Sequence, residues 1–368
     1  MDAVETLPRT RTVWRQHAYG SPDVVAAESA ELPPPGRGEV LLRVEAVSLN
    51  SGDVRMMRGD PALIRLFAGL RRPRVRGRGM DVAGTVVAVG PGVEGFSVGD
   101  TVVGAGSETL ADYAVARASR LTHRPASVDA VVAATLPIAG NTAVAALDAC
   151  RVGPGHRVLV SGAGGGVGTL TVQLAAQRGA EVWATCGERA QETLQRLGAA
   201  RTFDYRQTAL LDLPPASFDA IVDIAGNPPL RTLRDLLRPR GTVALVGGGG
   251  SGILGPIPRM LRTLVVRGRF RPVAATAQPA VTDALLDLVA AGLLTGDRGD
   301  VADVPGPRRT GVGGRRAHRG QGRRARRLSR HGVLGERPPA TSVGVEAADP
   351  CPMLKVWRPG RHGGRSAA

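Results

Sequence analysis

Ser161-Gly162-Ala163-Gly164-Gly165-Gly166-Val167-Gly168 lies between an apolar run at residues 157–161 and an amphipathic stretch at 167–178 that Gly179 closes. A second apolar run follows at 181–185. Strand, glycine turn, helix and strand form the setting in which a glycine run binds a dinucleotide. Glycines allow a tight turn and a close backbone approach to a pyrophosphate, while the helix N-terminus offers unpaired N–H groups and a favourable dipole. In that setting Gly162 and Gly168 complete the cradle, and Gly165, Gly166 and Val167 face the phosphates. A bare glycine run would be only a turn or a linker; the flanking elements supply the specificity.

The tip of the second strand discriminates between nicotinamide cofactors. Thr185-Cys186-Gly187 brings no acid to the place where NAD sites bind the ribose 2′-hydroxyl, and Arg189 follows closely. A cation there suits a 2′-phosphate, so NADP(H) is favoured over NAD(H), with Glu188 arguing the other way. Arg189 also reads as a solvated residue in the first turn of a helix over 188–197, which Gly198 ends.

Further along, residues 218–224 and 242–246 read as apolar strands that end at Gly226 and at a glycine run over 247–250 beginning with Gly247. Ligands bind at such strand ends in open α/β sheets, which makes Gly226 and Gly247 cofactor candidates, although glycines there also serve simply as turns. Residues 281–294 fit a later helix, and 131–150 a buried helix near a cleft. Upstream the rhythm differs. Residues 39–48 alternate apolar and polar like a half-buried strand, and 84–90 and 98–103 are short valine-rich runs between glycine and proline turns. The fold class is therefore α/β: a β-rich, barrel-like first domain, then a parallel sheet covered by helices on both faces.

A chain of 368 residues with 43% hydrophobic content accommodates two domains with proper cores. Its net charge of +16 is uneven: residues 301–368 hold fifteen Lys and Arg against four acids, so +11 falls there and +5 remains for residues 1–300. Cys150, Cys186 and Cys351 form no close pair, which excludes a disulfide framework and points to the cytoplasm. Residues 1–20 show no secretory signal, and Pro137, Asn141 and Asp148 interrupt the longest weakly polar stretch, so no membrane partner is expected. His17, His123 and His156 stand at no metal-ligand spacing.

Taken together, several motifs resemble the medium-chain dehydrogenase/reductase superfamily, specifically its zinc-independent quinone oxidoreductase-like branch. They are Ala46-Val47-Ser48-Leu49-Asn50-Ser51-Gly52-Asp53, Gly79-Met80-Asp81-Val82-Ala83-Gly84, Val98-Gly99-Asp100, Ala139-Gly140-Asn141-Thr142, the glycine cradle, and Asp204-Tyr205. The resemblance implies a GroES-like catalytic domain over 12–137, a Rossmann domain over 138–295, a substrate cleft between them and a homodimer. Zinc enzymes of the superfamily carry cysteine where Asn50 stands and Gly-His-Glu in place of Gly79-Met80-Asp81. Asn50 and Met80 are not zinc ligands of the usual N/S type, so no metal is expected.

By the same resemblance, Asn50 and Thr142 lie beside the nicotinamide or the substrate carbonyl as the catalytic candidates, and Tyr205 lines the adenosine 2′-phosphate pocket. Asn50 and Asp53 also fit turn chemistry, Asn141 and Thr142 a helix cap, and Tyr205 plain aromatic packing. The implied activity is hydride transfer from NADPH to a small electron-poor quinone or α,β-unsaturated carbonyl, with orientation supplying most of the acceleration. A non-catalytic NADP(H)-binding sensor on the same fold is the alternative.

Beyond about Thr295 the resemblance stops, and residues 296–368 form an atypical Arg/Gly-rich tail expected to be disordered. Residues 301–333 contain almost only amino acids whose commonest codons begin with G or C, and Lys355 is the single lysine of the chain. That pattern is what a GC-rich gene yields when read out of frame. A one-base shift lets His318-Arg319-Gly320-Gln321-Gly322-Arg323-Arg324 encode Thr-Gly-Gly-Lys-Val-Val, the type of strand with which the family's chain ends. The competing reading, an arm evolved for nucleic acid, lacks interleaved aromatics for base stacking, so no specific nucleic acid is expected.

Overall fold

The computed structural model describes residues 6–246, 269–274 and 276–296, together with the backbone of Val301–Val304 and Lys355–Pro359. The first half runs β1 (Thr10–Gln16), β2 (Val25–Glu31), β3 (Glu39–Leu49), α1 (Ser51–Arg58), α2 (Ile64–Ala68), β4 (Asp81–Val89), β5 (Thr101–Ala105), β6 (Tyr113–Arg117) and β7 (Leu121–His123). β3 is the hub: β4 lies antiparallel on one edge, followed by β5 and β7, and β6 pairs with its other edge. Val40, Leu42 and Val44 of β3 point the same way and meet Val82, Val86 and Val102 in a buried cluster with Trp14 and Leu110. This is the GroES-like domain. The β1–β2 hairpin, which the sequence analysis did not identify, packs Val13 and Trp14 against it.

The second half runs α3 (Ala130–Ala134), a π-helical turn (Leu136–Gly140), α4 (Asn141–Ala149), β8 (Arg157–Ser161), α5 (Gly166–Gln177), β9 (Glu181–Cys186), α6 (Gln191–Arg196) and β10 (Ala199–Asp204). It continues with β11 (Phe218–Asp223), α7 (Leu230–Leu236), β12 (Leu237–Leu245), β13 (Phe270–Pro272) and α8 (Pro279–Ala290). Six parallel strands form one sheet in the order β10-β9-β8-β11-β12-β13. Val158, Val160, Val182 and Val222 face one buried cluster, while Leu159, Trp183, Ile221 and Val243 face another. Apolar residues on both faces of every central strand are what a helix-covered parallel sheet requires.

Two expectations needed adjustment. The segment 131–150 is not one helix: α3 stops at Thr135, whose hydroxyl bonds the Val132 carbonyl, and Pro137 lacks the N–H that an unbroken helix would need. β12 begins at Leu237, five residues before the apolar run that announced it, because α7 passes into it directly across a register shift against β11.

Of the tail, the described backbone forms β14 (Val301–Val304) and β15 (Lys355–Pro359). β15 adds antiparallel to the end of β3, pairing Lys355 with Leu49 and Trp357 with Val47, and β14 runs parallel to β15. Gly247, with the rest of the 247–250 run, and the arginine clusters of the tail lie outside the described residues.

Candidate active site

The glycine run forms the turn between β8 and α5. Gly162 adopts φ +80°, and a Cβ there would stand 2.9 Å from the Ala225 nitrogen, so only glycine fits without strain. Its N–H reaches the Thr185 carbonyl at 3.1 Å and the Thr185 hydroxyl at 3.2 Å, tying the turn to β9. Gly168 is in closer contact still: a Cβ would meet the Ala163 backbone at 2.5 Å. Gly165 is the N-cap of α5 and has no side chain to occupy the first-turn N–H groups that begin at Gly166 and Val167. Gly226 ends β11 beside this turn, with its N–H on the Asp223 carboxylate at 3.1 Å. The cradle, α5 and Gly226 thus surround one crevice at the ends of β8 and β11.

At the far edge of the crevice, the ends of β9 and β10 lie side by side, the Tyr205 N–H bonding the Cys186 carbonyl at 3.1 Å. Arg206 stacks over the Tyr205 ring, 4.9 Å from its centroid, and its guanidinium stands 3.4 Å from where a Gly187 Cβ would be. Tyr205 is 45% exposed, which removes a purely core-packing role. Arg189 is exposed on a single helical turn at Glu188–Ala190. Arg206 thus brings a cation to the β9 tip from the β10 side, a residue that sequence reasoning passed over because it counted along the chain from β9 and not across to β10.

The cleft floor joins the two domains. Asn50 is the N-cap of α1, and its backbone N–H donates to the Asp53 carboxylate at 2.9 Å, so turn chemistry is real here. Its side chain does something further, because Nδ2 donates to Asp81 Oδ2 at 2.8 Å. Asp81 is fully buried, its Oδ1 has no hydrogen-bond partner among the described residues, and the Ile138 backbone N–H, from the opposite domain, acts on the carboxyl to favour its charged form. Burial pushes the Asp81 carboxyl well above the usual range, and nearby Asp53 raises it further. Asp53 is pushed up to about 6, again by burial, against the pull of hydrogen bonds from Asn50 and Gly79 and of the Arg78 charge. From the Rossmann side, Thr142 donates to the Ile138 carbonyl at 2.7 Å. Asn141 faces away, bonding Thr282 at 3.0 Å and the Gln278 N–H at 2.9 Å, and neither residue caps α4. Asn50, Asp53, Asp81, Ile138 and Thr142 are thus one connected group. Asp81 entered the sequence analysis only as a departure from a zinc motif; its acidic side chain in an apolar strand was the available signal. Among the described residues, no group of three His, Cys, Asp or Glu side chains is arranged to hold a metal ion.

A β-rich GroES-like domain facing a Rossmann sheet, with a glycine cradle at one end of the cleft and a polar floor at the other, defines a two-domain oxidoreductase fold. Residues 36–126 match the family described as alcohol dehydrogenase GroES-like domain, and residues 166–290 the family described as zinc-binding dehydrogenase. The chain is 37% identical over 225 residues to the chloroplastic quinone-oxidoreductase QR1 of Triphysaria versicolor, covering 58% of this chain and 67% of that protein. It is 32% identical over 234 residues to an NADPH-dependent alkenal/one oxidoreductase of Arabidopsis thaliana, covering 60% and 59%. Its fold is similar to that of the Escherichia coli quinone oxidoreductase complexed with NADPH, with a TM-score of 0.66 and 22% identity over 80% of this chain and 92% of the other. The chain belongs to the medium-chain dehydrogenase/reductase superfamily and is a quinone oxidoreductase-like member of it.

Proposed function

We propose that this chain transfers hydride from NADPH to a quinone or an α,β-unsaturated carbonyl without a zinc ion. The observation that carries the proposal is the cleft floor. Where a zinc enzyme needs thiolate and imidazole donors, the side chains are an amide, a thioether and two carboxyls, with the amide already bonded to a carboxyl. That donor set does not fit zinc. The quinone and alkenal/one relatives support the acceptor class.

The residues present do fit NADPH. The cradle from Gly162 to Gly168 would hold the pyrophosphate, and Tyr205 and Arg206 would hold the 2′-phosphate, with Arg189 within the same edge. When bound, NADPH supplies two electrons as hydride to the electron-poor carbon of the acceptor. The chain's own contribution is placement. Asp81, whose carboxyl burial pushes well above the usual range, anchors the Asn50 amide, and Thr142 anchors the π-helical turn that forms the opposite wall. The acceptor's electron pair moves onto oxygen and is protonated from water, so no strong acid is required of the site.

The test is NADPH oxidation measured with purified protein on a panel of quinones, enones and alcohols, before and after chelator treatment. Turnover of quinones or enones that survives chelation is the expected result. Tight NADPH binding without turnover, or chelator-sensitive alcohol oxidation, would overturn the proposal.

A further inference from the structure

The segment between the two floor motifs, residues 59–78, has an unusual surface. Leu66, Phe67, Leu70 and Val75 are four of the nine large apolar side chains exposed among the described residues, and Phe67, at 79%, is the barest residue among them. Arg71, Arg72, Arg74 and Arg76 are exposed in the same segment, and no acid occurs from Pro61 to Met80. The side chains of Arg71, Arg72 and Arg76 make no hydrogen bond or ion pair to any described residue. The segment is nevertheless held in shape. The Tyr19 hydroxyl bonds the Gly69 carbonyl at 2.7 Å, Arg65 stacks on the Tyr19 ring at 4.8 Å, and the Gln16 N–H bonds the Arg76 carbonyl at 2.9 Å. A segment held by Tyr19 and Gln16 therefore presents an aromatic ring and two leucines beside the guanidiniums of Arg71, Arg72 and Arg76, which pair with no described residue.

We propose that this face docks on an anionic lipid surface. Side chains of this kind insert at the boundary between headgroups and acyl chains, and arginines beside them pair with lipid phosphates. Charge argues against a second copy of the chain as the occupant, because two such arginine clusters would face each other. No helix among the described residues is long and apolar enough to cross a membrane, so the contact lies on the surface. The segment joins the two floor motifs, and Arg78 at its end acts by charge on Asp53 of the floor, so docking would bring the neighbourhood of the floor to the lipid. If the proposed function holds, lipid-dissolved quinones would enter from there.

The experiment is co-sedimentation of the full chain with phosphatidylcholine vesicles, with and without phosphatidylglycerol. Wild type is compared with F67S/L70S and with R71S/R72S/R76S, and melting temperature confirms folding. Wild type is expected to sediment with the anionic vesicles only, with binding weakened by salt. Each variant is expected to bind at least tenfold more weakly and to keep turnover of a water-soluble quinone within about twofold. Equal binding by wild type and both variants would assign the effect to the basic tail and overturn the proposal, as would no vesicle binding by wild type. A concentration-dependent dimer abolished by F67S/L70S would overturn it in favour of self-association. Vesicle binding without quinone turnover in wild type would reject the proposed function alone.

Discussion

Asp53 holds its proton to about pH 6 because it is buried in a floor where Arg78 and the α1 N-terminus only partly offset the loss of solvent. A carboxyl whose folded-state pKa lies above its unfolded value near 4 favours the folded state most at low pH, and that advantage is lost as pH rises through 6. The stability of the protein is therefore expected to fall between about pH 4 and pH 6 on account of this group, by an amount on the order of 3 kcal/mol. Denaturant titrations across that window are expected to show a shallower decline in Asp53→Asn; parallel slopes would remove Asp53 as the cause. Asn50 is the neighbouring residue that meets the reactants under the proposed function. Asn50→Ala is expected to lower kcat about ten- to a hundredfold while leaving the Kd for NADPH within about twofold, because the amide lies at the floor and not in the cradle.

At the scale of elements, the turn from β8 into α5 and the paired ends of β9 and β10 divide cofactor binding between them. Gly168→Ala is expected to weaken NADPH and NADH binding alike by tenfold or more, since its methyl group must displace the Ala163 backbone. Arg206→Ser is expected to act selectively, weakening NADPH by about tenfold or more and NADH by little, because only the former carries the 2′-phosphate. Calorimetric titration of both cofactors against both variants checks the two statements, and an equal loss of NADH binding in Arg206→Ser would count against the assigned pocket. The strand and helix pattern of 157–197 was legible beforehand because buried parallel strands are continuous apolar runs closed by glycines, whereas β10, with Arg201, Thr202 and Asp204 among its six residues, offered no such run. The β1–β2 hairpin was not, since charged and small residues such as Arg11, Arg15, Ala26 and Ala27 dilute the alternation, and its order comes from packing Val13 and Trp14 on the sheet. The break at Thr135–Pro137 was signalled by Pro137 alone, because the apolar content of 131–150 is equally suited to one helix or two.

For the whole molecule, the C-terminal strand is the point at which sequence and fold meet least easily. β3 has an edge next to Asn50, and the described backbone fills it with β15, which begins at the only lysine of the chain. A frame shift between about Leu294 and Val304 predicts that a restored reading frame would supply a Gly-Lys-Val-Val strand for the same edge. Resequencing the DNA across codons 290–305 decides this, with an uninterrupted frame and tail peptides in the mass spectrum as the outcome that rejects it. Were the frame restored, a stronger strand beside β3 is expected to raise the melting temperature and, by steadying the cleft floor, to enlarge the stabilisation that NADPH binding adds.

By itself, the sequence determined the Rossmann half, its glycine cradle and the family, because these depend on local signals: where glycine is needed, where apolar runs end, and which residues stand at fixed spacing. Only the tertiary structure decided which groups meet. The Asn50–Asp81 bond spans thirty-one residues, the Ile138 contact crosses between domains, and Arg206 reaches the β9 tip from the next strand. The physical reason is burial: a carboxyl acquires a raised pKa, and an arginine an address, from neighbours that the chain brings together only on folding.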